Sequence, residues 1–174
     1  MNHLTTETSP DLPADTFSGE AIGHASIETP IGWIDVGATE SAIVQLHWHH
    51  RQPKQRDTSP LLDEACRQLR AYIDGKLHDF DLPLDAVGSD FAKSVWQQML
   101  AIPYGRSRTY GDVANTLQAP AQLVGQACGQ NPIAVIIPCH RILGANSIGG
   151  YSSELGLRAK TFLLDLERGQ GRLF

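Results

Sequence analysis

The chain has 174 residues, enough for one ordinary domain or two small ones around a shared core. Hydrophobic residues make up 41% and charged residues 19%, the balance of a soluble globular protein, and no apolar run approaches the roughly 18 residues a membrane helix needs. Net charge is −5, which over the whole chain argues against a polyanionic partner. The charge is uneven, however: residues 1–89 carry 6 basic and 14 acidic side chains, net −8, whereas residues 90–174 carry 8 and 5, net +3. Only the second half is suited to approach an anion.

Residues 1–17 are polar, with acids and prolines but no basic start or apolar stretch, so they read as a disordered lead-in and not as a secretory signal. Three widely spaced cysteines, Cys66, Cys128 and Cys139, do not make a disulfide framework; reduced thiols in the cytoplasm fit better. Residues 18–50 read as strands, with a turn at Thr29-Pro30-Ile31-Gly32, alternation through Trp33 and Asp35, and the apolar run 42–48. Residues 51–60 are a loop. Leu61, Leu62, Ala65, Leu69 and Ile73 have helical spacing, with Ser59 as cap, Pro60 in the first turn and Gly75 as the stop. Residues 80–87 read as extended.

A second section starts near Ser89. Phe91, Val95, Met99 and Leu100 predict a helix that stops before Pro103, and residues 102–105 a turn. Thr109 can cap a short helix over 110–117. Ala119-Pro120 breaks it, and a second short helix follows over 121–128. Two short helices around a tight turn fit a helix-turn-helix or an ordinary helical hairpin. Asn131-Pro132 is a turn, residues 133–137 a short buried apolar run, residues 149–153 a flexible polar loop, and residues 157–167 a final helix.

The apolar run delivers Pro138-Cys139-His140-Arg141. A nucleophilic thiol must ionise, and at an ordinary pKa of ~8.5 it is mostly protonated at neutral pH. A neighbouring base corrects this, and a third group usually orients the base. His140 can be that base, through a bridging water because adjacent residues point apart. Glu167 or Asp165 of the last helix can orient it. A cysteine that is simply buried, beside a histidine by coincidence, is the competing reading. Cys66 and Cys128 fall in helical patterns and read as packing residues.

The run from Asn131 to Arg141, Asn-Pro-Ile-Ala-Val-Ile-Ile-Pro-Cys-His-Arg, closely resembles the active-site motif of the methylated-DNA–protein-cysteine methyltransferases, the O6-alkylguanine-DNA alkyltransferases. Phe91-x3-Val95-Trp96, Ile102-Pro-Tyr-Gly105, Thr109-Tyr110, Val124-Gly125, Gly150-Tyr151-Ser152 and Lys160-x2-Leu163-Leu164-x2-Glu167 follow in the family's order. The first half resembles the family's smaller domain, from Thr29 through Phe80-Asp-Leu-Pro83. The likeness spans about residues 25–168.

The resemblance implies an α/β (α+β) fold. Residues 18–88 would form a small N-terminal sheet domain with a helix, in support and not touching the substrate. Residues 89–174 would form a mostly helical domain with a winged, helix-turn-helix-like element for DNA binding and alkyl transfer. It implies a single-use protein that flips O6-alkylguanine, with O4-alkylthymine as a further candidate, out of the duplex and moves the alkyl group to Cys139. His140 would be the base and Glu167 its anchor. Asn131 would stabilise the turn before the site, Tyr110 would help rotate the nucleotide and bond the base, Tyr151 and Ser152 (or Ser153) would line the guanine pocket, and Lys160 would support that loop. Thr109, Tyr110, Gln122 and Arg141 would contact DNA. The partner would be double-stranded DNA carrying the lesion, with no membrane, cofactor, metal or obligate protein partner, and the protein a monomer.

Three departures stand out. Most relatives have arginine where Gln122 stands, filling the gap left by the flipped base; glutamine can fill space and hydrogen-bond but brings no charge. Arg106 or Arg108 could compensate at phosphates. The segment 110–124 is about two residues shorter than usual, and 151–160 about two longer. Some relatives hold zinc in the first domain; His47, His49, His50 and Cys66 are the candidates here, without a Cys-x2-Cys spacing to support a site. Two other functions compete: a non-catalytic module that recognises alkylated DNA or regulates transcription, against which Cys139 counts, and an unrelated cysteine hydrolase, which would leave the motif order unexplained.

Overall fold

Pro30 and Ile31 occupy a two-residue loop, and Thr29 closes it by donating its hydroxyl to the Gly32 carbonyl at 2.9 Å. The strands on either side, β1 (Gly23–Thr29) and β2 (Gly32–Ala38), pair antiparallel, and β3 (Ile43–His49) pairs antiparallel with β2. The computed structural model describes residue 21 and residues 23–169; the lead-in expected over residues 1–17 lies outside the described residues. In β1 burial alternates, so Ala25 and Ile27 point into the core, while β2 is buried on both faces from Ile34 onward.

The free edge of β3 is covered. Ile43 N–H donates to the Pro83 carbonyl at 2.8 Å, Asp85 N–H donates to the Ile43 carbonyl at 2.9 Å, and Leu46 N–H donates to the Pro132 carbonyl at 2.9 Å. The extended reading of 80–87 is thereby explained: this segment and the start of the Asn131–Arg141 run share one sheet edge, which removes an aggregation-prone row of unpaired backbone groups. The last of these bonds also ties the sheet to the chain that leads into Cys139.

Helix α1 (Pro60–Ile73) begins as its sequence dictates. Ser59 is extended and its hydroxyl accepts from Leu62 N–H at 3.1 Å, with Pro60 in the first turn. It packs over β1 and β2. Its buried face consists of Leu62, Ala65, Cys66, Gln68, Leu69 and Tyr72, a stripe rotated from the predicted one, with Leu61 and Ile73 only partly buried. Helix α2 (Asp90–Leu100) is capped by Ser89 and buries Val95, Trp96 and Met99; the Trp96 indole N–H donates to the Ala127 carbonyl at 2.9 Å.

Strand β4 (Arg108–Thr109) leads into α3 (Tyr110–Leu117), which starts with a capping box: Thr109 accepts from Asp112 N–H at 3.0 Å and Asp112 accepts from Thr109 N–H at 2.9 Å. Three residues join α3 to α4 (Ala121–Gly129), and both pack on α2. The connection is tight enough to place Gln118 in the left-handed region at φ 52°, where glycine is usual. A 3-10 turn over Cys139–Arg141 runs into β5 (Ile142–Leu143), which pairs parallel with β4, and α5 (Leu157–Glu167) follows. This is the expected α+β architecture, a small sheet with a helix followed by a mostly helical half. Among the described residues no helix is long and apolar enough to cross a membrane.

Leu69 is fully buried on the packed face of α1. Leu69→Ala is expected to lower stability by about 3 kcal/mol, read from the urea midpoint at constant slope. A loss below about 1 kcal/mol would contradict the packing of α1 on the sheet.

Candidate active site

The run before Cys139 is a series of tight turns that needs an internal brace. Asn131 supplies it: its side-chain amide donates to the Ile137 carbonyl at 2.8 Å and its carbonyl oxygen accepts from Ile133 N–H at 3.0 Å. Within the brace Ile137 N–H donates to the Ile133 carbonyl at 2.9 Å and Ile136 N–H to the Ala134 carbonyl at 2.9 Å. The second bond encloses Val135 at φ 72°, a conformation costly for a β-branched residue, of order 1–3 kcal/mol. Burial of Ile133, Val135 and Ile137 holds the strained segment in place. Cys139 emerges from it into a 3-10 turn.

Cys139 is 9% exposed and lines a cavity of about 100 Å3. Tyr110 and three residues of α4, Gly125, Cys128 and Gly129, form one wall. Gly150, Tyr151 and Ser152 form the other. Tyr151 is half-buried, with its hydroxyl turned inward to accept from the Trp48 indole N–H at 3.4 Å. Burial and the neighbouring Cys139 push that hydroxyl well above its usual pKa, so it stays protonated. Ser152 is exposed at the rim, whereas the Ser153 hydroxyl is buried without a partner among the described residues. Lys160 is fully buried and donates to the Ile142 carbonyl at 2.7 Å and the Gly150 carbonyl at 3.0 Å, clamping the loop. Gly149 (φ 75°) sits so close that a Cβ there would lie 2.9 Å from the Tyr110 ring and 3.2 Å from Lys160 Nζ.

Of the two carboxylates considered as anchor, Glu167 is the one that reaches His140, with Oε1 at 2.8 Å from Nε2. Both groups are buried, at 0% and 1% side-chain exposure. Burial pushes the Glu167 carboxyl up, but bonds from His140 and Arg141 outweigh it and hold it well below the usual carboxylate range. Burial likewise pushes His140 below its ordinary value, against the pull of Glu167. A neutral imidazole that donates Nε2–H to a carboxylate has Nδ1 as its acceptor. Nδ1 is buried and has no hydrogen-bond partner among the described residues. Burial raises the Cys139 thiol, more than the Asn131 side chain and the Lys160 charge lower it, so the resting group is the protonated thiol. The arrangement is a buried thiol beside a base with a free acceptor nitrogen, oriented by a fixed anion.

Arg141 does not face outward as a DNA contact. Its side chain is 7% exposed, its Nη2 lies 2.8 Å from Glu167 Oε1, its Nε 3.0 Å from Oε2, and its Nη1 donates to the Ile102 carbonyl at 2.6 Å. A guanidinium at this depth must be paired, and the nearest anion is the anchor carboxylate. Arg108 is also committed internally, to Gln98, the Asp112 carbonyl and Thr116, while Arg106 is exposed. Thr109 is occupied by the capping box, and Gln122 is exposed on the first turn of α4.

Some site members were not foreseen. Cys128, read as packing, lines the cavity with Cys139; burial and the neighbouring thiol push its own thiol up to about 12. Tyr72 donates its hydroxyl to Glu167 Oε1 at 2.7 Å, and Gly105 N–H donates to Oε2 at 3.2 Å. Gly105 has φ 75°, and a Cβ there would meet the Glu167 carbonyl oxygen at 3.1 Å. A tyrosine at a buried helical position carries one available signal, since its hydroxyl must find a partner. Among the described residues no group of three or more His, Cys, Asp or Glu side chains could hold a metal ion; His49 pairs with Glu154 at 3.1 Å and Cys66 is buried in α1.

Two family models match the chain: the ribonuclease-like domain of 6-O-methylguanine DNA methyltransferase over residues 22–86, and the DNA binding domain of the same proteins over residues 90–169. A methylated-DNA–protein-cysteine methyltransferase of Mycobacterium bovis is 38% identical over 157 residues, 86% of this chain and 94% of that protein. One from Methanosarcina acetivorans is 40% identical over 153 residues, 83% and 97% of the two chains. Among solved structures, Mycobacterium tuberculosis OGT in complex with DNA superposes with a TM-score of 0.76 at 37% identity, covering 87% of this chain and 96% of its own. With both halves matched in order and the relatives covered nearly end to end, the chain belongs to the 6-O-methylguanine DNA methyltransferase family.

Proposed function

We propose that this chain is a direct-reversal DNA repair protein that takes the alkyl group from O6-alkylguanine in duplex DNA onto Cys139, once per molecule. The observation that carries the reading is the buried Cys139 thiol on the wall of a cavity, next to a histidine whose Nε2–H is held by Glu167. In this reading the lesion is first swung out of the stack, at a cost of a few kcal/mol. The thiol proton passes through a water to His140 Nδ1, and the imidazolium formed is stabilised by Glu167. Cys139 Sγ then bonds to the alkyl carbon, the bond from that carbon to guanine O6 breaks, and the departing guanine takes up the proton that left Cys139, released by the imidazolium. Tyr151 or Ser152 serves as donor to that oxygen, and Tyr110 as donor to the base. O4-alkylthymine is a second candidate substrate.

The product is a thioether, and the protein is thereby spent. Cys128 does not change that, because it is held as a thiol and a thioether is a poor target for thiol attack. No cofactor enters the scheme, since the substrate carries its own electrophile. The division into a supporting part over residues 18–88 and a reacting part over 89–174 belongs to the same proposal, as do action as a monomer and location in the cytoplasm. Three free thiols suit a reducing compartment.

Titrating the protein against duplex DNA containing O6-methylguanine is expected to remove one methyl group per chain and then stop. Continued turnover would contradict the scheme, and binding without removal would favour a recognition module. In the same assay Gln122→Arg, which restores the residue common in relatives, is expected to tighten duplex binding about tenfold at low salt, with a steeper salt dependence. Unchanged affinity and rate would show that Gln122 does the arginine's work unaided.

A further inference from the structure

The helix of the first half ends at the anchor carboxylate of the second. Tyr72, in the last turn of α1, is fully buried, and its hydroxyl donates to Glu167 Oε1 at 2.7 Å while its oxygen lies 3.4 Å from His140 Nε2. The ring is fixed on two sides. It meets Tyr104 edge-on at 6.0 Å and Phe80 at a tilt at 5.1 Å. A phenylalanine would fill the same space, so packing alone gives no use for the hydroxyl. The hydroxyl stays protonated, since burial and the adjacent Glu167 charge push its pKa far up, and it can therefore act as donor throughout.

Taking His140 as the base and Glu167 as its anchor, as proposed above, we infer that Tyr72 is a positioning residue for alkyl transfer: its hydroxyl fixes the Glu167 carboxylate and limits the negative charge presented to His140. The reasoning is electrostatic. Oε1 is shared by the Tyr72 hydroxyl, the His140 Nε2–H and the Arg141 guanidinium. Each additional donor draws charge from the oxygen and weakens its support for an imidazolium. The charged and titratable groups around His140 are Glu167 and Lys160 from α5, Arg141 and Cys139 from the 3-10 turn, and Tyr72 from α1. Among these Tyr72 is the neutral donor contributed by the first half. Without its hydroxyl the carboxylate would favour the protonated imidazole more strongly. His140 would then already hold a proton at a higher pH, where it cannot accept the one from Cys139.

The test is the single-turnover rate constant on an O6-methylguanine duplex, measured from about pH 5 to about pH 9, a span centred near the ordinary histidine value. Tyr72→Phe is expected to transfer one methyl per chain with its acid limb moved up by about half a pH unit and its plateau about threefold to tenfold lower. Phe80→Leu, which disturbs the same packing and leaves the hydroxyl in place, is expected to lower the unfolding midpoint without moving the limb. Should Tyr72→Phe fail to fold, 3-fluorotyrosine at position 72 keeps the shape and strengthens the donor, and the limb is expected to move down. Transfer by the wild type with a profile unmoved by either change at Tyr72 would overturn the inference, as would an equal shift in Phe80→Leu. Failure of the wild type to move any methyl would instead overturn the reading of the site itself, and this inference with it.

Discussion

The Glu167 carboxylate sits where four separate pieces of the chain meet. It accepts from His140 and Arg141 of the 3-10 turn, from Tyr72 of α1, and from the Gly105 backbone in the turn after α2, and it is itself carried by α5. A carboxylate with 1% side-chain exposure is tolerable only if its charge and lone pairs are fully answered, because the desolvation penalty per ion is several kcal/mol. The folds of the 102–105 turn and of the Pro-Cys-His-Arg segment both follow from that requirement. Gly105 must be glycine to bring its N–H close, and Arg141 must turn inward to balance the charge. With these met, His140 has one tautomer and one orientation, which in the proposed scheme makes it the base for Cys139.

Burial, acting against the pull of Glu167 on the imidazole, keeps the resting thiol and His140 uncharged. A thiol raised by burial, beside a neutral imidazole lowered by burial, does not ionise until something favours the charged pair. Entry of a base into the cavity and the departure of guanine from its alkyl carbon supply that driving force in the proposed scheme. A single-use protein gains from such restraint, since a permanently exposed thiolate would be consumed by any electrophile or oxidant.

Local signals in the sequence were legible and long-range ones were not. Ser59 with Pro60, and Thr109, mark helix starts locally, and the structure has Ser59 and Thr109 as caps; the reciprocal bond from Asp112 is added by the fold. Asn131-Pro132 indicated a turn for the same reason, although nothing in the composition of 133–137 disclosed the φ of 72° at Val135. The choice between Glu167 and Asp165 could not be made from spacing, because a helix can present either. The resemblance puts Arg141 among the DNA contacts, whereas in the fold its guanidinium pairs with Glu167, 26 residues away, which no local pattern reports. Tyr72 lies 95 residues from Glu167, a separation that no periodicity reports. Cys128 followed a helical pattern correctly, but pattern does not say that the neighbouring space is a cavity.

In the proposed scheme the alkyl group ends on Cys139 Sγ. The most direct test of that scheme is intact and peptide mass spectrometry after the purified protein meets duplex DNA containing O6-methylguanine. A gain of about 14 Da, one CH2, is expected on the peptide that holds Cys139 and none on those holding Cys66 or Cys128, with the gain abolished in Cys139→Ala, as for covalent nucleophilic catalysis. Methyl on another residue, or specific lesion binding with no change in mass, would contradict the scheme.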